Sequence, residues 1–317
     1  MQTLSEEVAP AIEPGRPAYR PFRVQVRRVQ RLTPSFWQVT FTAPDLHEFG
    51  DDGLDQRIKL LFPERPDMLD DLLGESWYGR WRELADADRP ALRTYTVRRV
   101  RPHEREVDVV LVDHETAHGK AGPAVRWLRN ATVGDEIVLV GPDARSPDKH
   151  QGIDFRPGAA TRLLLAGDET AAPAIAGILE SLADRPDVTA RAFVEVPDPA
   201  DRLPVDLPDN ARLHWLARGA GTHGDLLGPA VCAWLDGHAR LLDSIRAVGD
   251  QPLDDVDVDA ELLWDSPDPS GEGFYAWMAG EAAAIKTLRR AVVTDRGVDR
   301  RQVAFMGYWR RGQSERN

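Results

Sequence analysis

The stretch from residue 163 to residue 173 reads LLLAGDETAAP, which has the form of a buried strand running directly into a helix. Residues 163–166 are wholly apolar, as expected for a strand covered on both faces of a parallel sheet. The helix that follows has apolar residues at helical spacing: Ile175, Ile178, Leu179 and Leu182. A strand, a tight turn and a helix in this order predict one unit of an α/β domain.

The turn of this unit is Gly167-Asp168-Glu169-Thr170. Nucleotides bind at such turns, at the carboxyl ends of parallel strands. The full G-x-G-x-x-G pattern is absent, so the spacing alone is weak evidence for a dinucleotide site. Two acids also suit a pyrophosphate poorly, and their ordinary role is to cap the helix or to place negative charge at its N-terminus.

Strand-like and helix-like segments continue to alternate downstream. The strands are expected at residues 190–196, 212–216, 275–279 and 303–308, and a long helix at 282–294. This alternation predicts βαβ units and therefore a Rossmann-like parallel sheet. We assign the domain to residues 161–317.

The first half of the chain has a different pattern, in which short strands are separated by turns. Six segments have strand character: 23–29, 36–42, 58–62, 94–101, 107–112 and 136–140. They predict a six-stranded antiparallel barrel, placed at residues 20–142. Residues 1–19 are expected to form a flexible tail and residues 143–160 a linker. A charged insertion at 68–92 is either a lid over the site or a surface helix.

Composition limits the chemistry. The 317 residues are enough for two domains, and the net charge of −12 argues against a nucleic-acid partner. Cys232 is the only cysteine, which excludes internal disulfides, zinc sites built on cysteine pairs and cysteine-ligated iron–sulfur clusters. Electron transfer would therefore use an organic cofactor. No apolar run approaches the ~18 residues of a spanning helix and no signal peptide is evident, so we expect a cytoplasmic protein that meets no membrane.

Two motifs in the barrel half carry binding chemistry. In Arg93-Thr94-Tyr95-Thr96, the arginine suits a phosphate, the tyrosine ring can lie against a flat heterocycle, and the last hydroxyl can reach a ring nitrogen. In Gly122-Pro123-Ala124, a helix opens with free amides that suit a pyrophosphate. Taken alone, motifs of these two kinds are more often simply an exposed strand and a capped helix.

The order of these segments resembles the ferredoxin–NADP reductase superfamily. More closely, it resembles the siderophore-interacting protein family of FAD-dependent ferric-siderophore reductases. The resemblance implies an FAD-binding barrel followed by an NAD(P)-binding domain. The residues that carry it are 55–63 (DQRIKLLFP), 93–98 (RTYTVR), His114, 122–127 (GPAVRW), 167–170 (GDET), 173–175 (PAI), 279–281 (AGE) and 307–310 (GYWR).

The resemblance also implies how FAD is held. Arg93 would face the pyrophosphate, Tyr95 would flank the flavin–ribityl region, and Thr96 would reach the isoalloxazine edge. His114 and the amides near Gly122, Pro123 and Ala124 would close around the pyrophosphate. Trp127 would also belong to this site.

For the other ligands, the resemblance implies two more groups of residues. A nicotinamide dinucleotide would meet Gly167, Asp168, Glu169, Thr170, Ala279, Gly280 and Glu281, and Trp309 or Tyr308 would cover the flavin. A basic cluster of Lys59, Arg126 and Arg310 would attract an anionic ferric siderophore, although exposed bases are also common without such a role.

The activity that follows is reduction of a ferric siderophore inside the cell, with electrons passing from NADPH or NADH through FAD so that Fe(II) is released. Because the cofactor performs the electron transfer, no catalytic side chain and no protein metal site are expected. The donor is open. An acid near Glu195 or Asp198 suits NADH, Arg202 or Arg218 suits NADPH, and ferredoxin is a third source. The alternatives are a general flavin-dependent NAD(P)H reductase and a non-catalytic protein that binds ferric chelates. A monomer is expected.

Overall fold

A closed barrel forms the first half of the protein. The structure, a computed structural model, describes residues 11–113, 121–254, 256–258, 261–267 and 273–312. The six barrel strands pair in the order β1-β2-β5-β4-β3-β6, every pair antiparallel, so the six-stranded barrel expected from the sequence is confirmed. Their bounds are β1 (Tyr19–Arg31), β2 (Phe36–Thr42), β3 (Arg57–Phe62), β4 (Ala91–Arg101), β5 (Glu106–Val112) and β6 (Glu136–Pro142).

Apolar side chains that alternate along the strands fill the barrel. Phe22, Val24 and Val26 of β1 and Ile58 and Leu60 of β3 belong to one buried cluster. Successive side chains of a strand point to opposite faces, so each inward residue is followed by one on the outer wall. This two-residue period is the reason that the strands are visible in the sequence.

The insertion between β3 and β4 packs against the outer wall of the barrel. It contains a 3-10 turn at Pro66–Leu72 and a first helix, α1 (Trp77–Glu83). Trp81 is buried, and its Nε1 donates a hydrogen bond to the carbonyl oxygen of Pro90 at 2.9 Å. Together with two leucines of the 3-10 turn, it covers outward-facing apolar residues of β3, β4 and β6. This arrangement favours the surface-helix interpretation over a lid.

A six-stranded sheet forms the second half. Its strands are β7 (Ala160–Gly167), β8 (Thr189–Val196), β9 (Ala211–Ala217), β10 (Trp264–Asp265), β11 (Gly273–Glu281) and β12 (Val303–Trp309). The order is β10-β12-β11-β7-β8-β9, and all neighbours are parallel except β10, which is an antiparallel edge strand. The Rossmann-like sheet is thus confirmed, with β10 as an addition that was not predicted, because two residues show no period.

Helices cover both faces of the sheet. The chain order is α2 (Pro123–Asn130) in the barrel half, then α3 (Ala172–Ser181), α4 (Leu227–Asp236), α5 (Ala239–Ser244) and α6 (Ala282–Arg289), the last continued by a π-helical turn at Arg290–Thr294. α3 packs on one face, and α4, α5 and α6 pack on the other. α4 and α5 were not predicted. Gly228 and Pro229 resemble helix breakers, yet proline is tolerated in the first turn, where amides lack an intrahelical acceptor.

A buried carboxylate joins the two halves. Asp55, which precedes β3, is fully buried, and its oxygens accept hydrogen bonds from Asp154 N at 3.2 Å, Phe155 N at 3.1 Å and Trp277 Nε1 at 3.1 Å. Trp277 lies in β11, so the barrel, the connecting segment and the sheet meet at one side chain. Burial raises the pKa of Asp55 to about 6, against the opposing effect of the hydrogen bonds from Phe155 and Trp277.

Two further contacts hold the same interface. Asp201, also fully buried, accepts hydrogen bonds from Thr33 Oγ1 at 2.7 Å and from Ser35 N and Oγ at 2.7 and 2.8 Å. Arg98 of β4 forms a two-pronged ion pair with Glu180 of α3, with both N···O distances 2.7 Å. Bidentate pairs of this kind fix orientation as well as distance.

The segments on either side of the barrel, 1–19 and 143–160, are attached to it where the structure describes them. Asp143 is buried and forms ion pairs with Arg16 at 2.7 Å and Arg145 at 3.1 Å. Glu13 N also donates a hydrogen bond to the carbonyl oxygen of Arg145 at 2.8 Å. The chain is therefore held against the barrel from residue 13 onward, and the predicted linker is packed. The domain boundaries themselves stay predictions.

Replacing Asp55 with alanine (Asp55→Ala) would leave three buried donors without their acceptor. Each unsatisfied donor costs about 1–3 kcal/mol, so we expect the free energy of unfolding in urea at pH 5 to fall by at least about 2 kcal/mol. The raised pKa of Asp55 means that wild-type stability is lost as pH rises from about 4 to about 6. The difference between wild type and variant should therefore be smaller at pH 7 than at pH 5.

Asp187→Ala is the matched control, because this aspartate is 58% exposed and pairs only across the surface with Arg185. It should change the free energy of unfolding by less than about 0.5 kcal/mol at either pH. If Asp55→Ala behaved like Asp187→Ala, the buried carboxylate would not hold the interface.

Candidate functional site

The carboxyl ends of three neighbouring strands form one edge of the sheet. Gly167 at the end of β7 pairs with Ala279 in β11, and Glu281 pairs with Trp309 at the end of β12. Parallel strands end at the same edge, so residues that are far apart in the sequence meet here. The structure thus brings together the residues expected at the dinucleotide site: Gly167, Asp168, Glu169, Thr170, Ala279, Gly280, Glu281 and Trp309.

Asp168 ties this edge together. One carboxylate oxygen accepts hydrogen bonds from the backbone N and Oγ1 of Thr170, at 2.9 and 2.6 Å. The other accepts from Glu281 N at 2.7 Å and from Trp309 Nε1 at 2.9 Å. Burial and the neighbouring charge of Glu169 raise the pKa of Asp168 to about 6, despite these donors. The side chain therefore acts within the protein, fixing the turn after β7 to β11 and β12.

Two glycines allow the strands to approach at this point. A Cβ at Gly167 would lie 2.6 Å from the carbonyl oxygen of Ala279, and a Cβ at Gly280 would lie 2.8 Å from Cγ of Asp168. Gly280 also has φ +154°, a conformation that side chains rarely adopt. The close backbone packing that a nucleotide-binding turn requires is therefore present without the G-x-G-x-x-G pattern. Glu281 completes the edge by capping α6, where it accepts a hydrogen bond from Ala284 N at 2.9 Å.

Glu169 belongs to a buried ion cluster beneath the turn. Its two oxygens accept hydrogen bonds from both terminal nitrogens of Arg218, each at 2.7 Å, and one of them lies 3.1 Å from His223 Nε2. Burial opposes ionisation, but the bonds to His223 and Arg218 outweigh it and lower the pKa of Glu169 to about 2. His223 and Arg218 carry no recognisable motif in the sequence, because only the folded sheet brings them to Glu169.

Glu195 does not have the environment expected of an acid that binds the ribose of NADH. It is fully buried, and its oxygens accept hydrogen bonds from the backbone amides of Gly224, Leu226 and Leu227 at 2.9, 3.0 and 2.8 Å. A carboxylate buried in this way cannot meet a ribose hydroxyl. Arg218 is likewise engaged with Glu169, so neither residue distinguishes NADH from NADPH.

The barrel half of the site lies on β4. Arg93 and Tyr95 share one face of the strand, and Thr94 and Thr96 share the other, because side chains alternate. Tyr95 packs edge-on against Phe62, with ring centroids 6.2 Å apart. Arg93 Nη1 donates a hydrogen bond to the carbonyl oxygen of Leu92 at 2.6 Å. Tyr95 and Thr96 thus reach different sides of the barrel wall.

The threonine face of β4 continues as a polar strip on β3. Lys59 lies opposite Thr94, and its Nζ donates a hydrogen bond to Thr94 Oγ1 at 2.5 Å. Arg57 lies opposite Thr96, forms an ion pair with Asp154 at 2.6 Å and stacks over Trp264 with its guanidinium 4.4 Å from the ring centroid. The strip therefore runs from the insertion toward the second domain.

The start of α2 has the backbone chemistry expected of a pyrophosphate site. Gly122 caps the helix without a side-chain hydrogen bond among the described residues, and Pro123 follows. The first amides of a helix have no intrahelical acceptor. Trp127 holds α2 on the barrel through ring contacts with Phe62 and Phe41, at 5.2 and 6.2 Å. His114, expected at the same place, lies outside the described residues.

Tyr308 and Trp309, at the end of β12, contact different parts of the protein. The Tyr308 ring stacks on Trp264 at 5.8 Å and meets Trp277 edge-on at 6.1 Å. Burial raises the pKa of its hydroxyl, which has no hydrogen-bond partner among the described residues. Trp309 instead contacts Asp168 and lies edge-on to His223, with ring centroids 4.8 Å apart. Tyr308 therefore packs at the domain interface, whereas Trp309 lies at the carboxyl edge of the sheet, where the dinucleotide is expected.

The three bases expected to attract a chelate lie on three different elements. Lys59 is in β3, Arg126 is an exposed residue of α2, and Arg310 follows β12. Arg126 donates a hydrogen bond to the carbonyl oxygen of Ala121 at 2.9 Å, and Arg310 donates one to that of Glu261. Their joint role as a basic cluster remains a prediction.

Both halves of the chain match models of known protein families. Residues 160–312 match the family model described as siderophore-interacting protein, and residues 25–146 match the siderophore-interacting FAD-binding domain. An uncharacterized protein of Mycobacterium tuberculosis is 33% identical over 95% of this chain and 93% of its own length.

This chain belongs to the siderophore-interacting protein family. Within it, the ferric vibriobactin reductase ViuB of Vibrio cholerae is 26% identical over 91% of this chain and 89% of its own. The crystal structure of a siderophore utilization protein from T. fusca superimposes with a TM-score of 0.63 at 28% identity, covering 95% of this chain and 96% of that one. The family's FAD-binding domain thus coincides with the barrel that carries the polar strip. Among the described residues, no helix has the length and apolar character needed to cross a membrane.

Replacing either member of the buried ion pair between Glu169 and Arg218 should destabilise the protein. We expect Glu169→Gln and Arg218→Met each to lower the free energy of unfolding by about 3–5 kcal/mol at pH 7, because one buried charge then lacks its partner. The decrease in the free energy of unfolding of the double variant should be smaller than the sum of the decreases of the two single variants. In wild type, the stability due to Glu169 is present above about pH 4.5 and is lost as pH falls toward 2, so this acid dependence should be weaker in Glu169→Gln.

The control for this cycle is an exposed pair of the same kind, Asp187 with Arg185. Its coupling energy should be below about 1 kcal/mol. Additive effects of Glu169→Gln and Arg218→Met would show that the two side chains are not a coupled pair in solution.

Proposed function

We propose that this protein is a ferric-siderophore reductase that takes electrons from NAD(P)H by way of FAD. The observation that supports the proposal is that the polar strip of β3 and β4 and the carboxyl edge of the sheet, the two edges expected to bind the cofactors, lie beside one domain interface. Asp55 and the ion pair between Arg57 and Asp154 hold them in a fixed relation. A cofactor on one edge would therefore meet a donor on the other.

On the barrel side, the protein would hold FAD through residues that differ in chemistry. Arg93 and the amides at the start of α2 would bind the pyrophosphate, as cations and free helix amides do. Tyr95 would offer a ring face, and Thr96 a hydroxyl. Bound FAD would supply the ability to accept a hydride and release electrons singly, which nicotinamide alone lacks.

On the sheet side, the turn after β7 would receive the nicotinamide dinucleotide. Asp168 and Glu169 are engaged within the protein, so the contribution of this turn is its backbone and the shape that these side chains maintain. Gly167 and Gly280 keep the backbone free of side chains at the closest approach. Trp309, held by Asp168, would lie beside the ligand and shield it from water.

The ferric siderophore would approach as an anionic substrate. On a protein with a net charge of −12, local positive potential is needed to recruit an anion, and Lys59, Arg126 and Arg310 would provide it. Siderophores bind Fe(III) through hard oxygen donors, and reduction to the softer Fe(II) weakens that binding. Because the metal accepts an electron and no proton, no side chain is required as a general acid or base for the electron transfer.

The proposal is tested on the purified protein under anaerobic conditions. We expect flavin absorbance that is bleached by NADH or NADPH and restored by a ferric siderophore. A protein that is colourless and cannot be reconstituted with FAD would instead be the non-catalytic binding protein. Flavin that neither nicotinamide reduces would favour ferredoxin as the donor.

Charge-reversal variants distinguish a ferric-siderophore reductase from a general flavin reductase. Lys59→Glu combined with Arg310→Glu should slow reduction of a ferric siderophore by about tenfold or more at low salt, because steering of the anion is lost. Reduction of an uncharged quinone dye should be unchanged. Arg27→Glu, at an exposed arginine of β1, is the matched control and should alter neither. An equal loss on both acceptors would contradict a siderophore-specific role.

A further inference from the structure

A second cavity lies at the opposite edge of the sheet from the dinucleotide site. It is open to solvent, has a volume of about 690 Å³ and is lined by the beginnings of β7 and β8 and by the junction of α4 with α5. Arg162 precedes Gly167 by five residues in β7, which is a distance of about 17 Å along a strand. The cavity is therefore separate from the site described above.

Three arginines line this cavity: Arg162, Arg191 and Arg240. Within the part of the chain that the structure describes, no carboxylate lies within ion-pair distance of any of them. Arg212 adds a fourth charge, since it lies beside Arg191 in the neighbouring strand, and its own hydrogen bonds go to the backbone oxygens of Asp209 and Ala211. Many other arginines of this acidic protein are paired with aspartate or glutamate, for example Arg101 and Arg218.

The partner of Arg191 adds no negative charge. Arg191 Nη1 lies 2.8 Å from Nε2 of His214, and burial together with the Arg191 charge lowers the pKa of His214. A neutral imidazole can accept this hydrogen bond but leaves the guanidinium charge uncompensated. Like charges gathered without counter-charges repel one another, so a bound anion would relieve this repulsion.

The remaining walls are apolar and aromatic. Leu163 and Leu241 are buried at the edge of the cavity, and the rings of Trp234 and His238 lie 4.5 Å apart at 32°. Pockets of this size, with mostly apolar walls and a few convergent charges, suit small molecules better than protein surfaces. The aromatic wall offers a face on which a flat ring can stack.

We propose that this cavity binds a small aromatic anion with at least two negative charges, carried by phosphate or carboxylate groups. The arginines would bind the anionic groups by charge-assisted hydrogen bonds, and the Trp234 side would hold the ring. The ligand would be recognised independently of FAD and of the nicotinamide, because its residues belong to neither of those sites.

The test uses the full-length protein in its FAD-loaded form, titrated by calorimetry at low salt with three probes. Phenyl phosphate carries a ring and a phosphate, phthalate carries a ring and two carboxylates, and inorganic phosphate carries no ring. We expect phenyl phosphate or phthalate to bind, the better of the two identifying the anionic group, and inorganic phosphate to bind more weakly. Absence of binding by both ring-bearing probes at millimolar concentration would overturn the proposal.

Variants locate the binding. Arg162→Gln with Arg240→Gln changes two exposed arginines and should weaken binding by about tenfold or more, since each charge-assisted hydrogen bond contributes that much. Arg27→Gln with Arg65→Gln, at two exposed arginines of the barrel half, should have no effect. If the double variant has a lower melting temperature than wild type, the single variant Arg240→Gln is used in its place. Affinity unchanged in these variants would place the anion elsewhere.

Discussion

A single buried carboxylate, Asp55, lies where the barrel, the connecting segment and the sheet meet. Its three donors come from Asp154 and Phe155 of the connecting segment and Trp277 of the sheet, so losing this barrel residue would leave buried polar groups of both other parts unsatisfied. Asp201 and the pair between Arg98 and Glu180 act at the same interface, but each links only two elements. The relation between the two binding edges, and with it the proposed electron path, depends on this contact.

The sheet edge illustrates how buried charge can shape a site without being offered to a ligand. Asp168 fixes the turn to two strands, and Glu169 is neutralised by Arg218 and His223. Both carboxylates are engaged by donors inside the protein, so neither is left to repel a pyrophosphate. An acidic turn is therefore compatible with a dinucleotide site, provided that the acids have partners inside the protein.

Much of the architecture could be predicted because it rests on local periodicity. The barrel strands follow a two-residue alternation, and α3 follows a helical one, as at Ile175, Ile178 and Leu179. What could not be predicted depends on tertiary contacts. The two residues of β10 are too few to show a periodic pattern. The start of α4 contains Gly228 and Pro229, which are typical of loops, so the sequence did not predict this helix. Glu195 was expected to face a ribose, yet it is enclosed by amides of the segment before α4, which was itself not predicted. The expectation that Asp168 and Glu169 stabilise the start of α3 was wrong, because α3 begins at Ala172 with no acid in its first turn, and both carboxylates instead bind residues from other strands and loops.

The most direct test of the central claim is the rate at which NAD(P)H bleaches the flavin absorbance in a stopped-flow instrument, compared between wild type and Asp55→Ala at equal FAD content. We expect at least about a tenfold slower reaction in the variant, because reacting groups that shift by about 1 Å lose much of their rate, while bleaching by dithionite stays the same. A variant that is reduced by NAD(P)H as fast as wild type would contradict the claim that Asp55 sets the relation between the two edges.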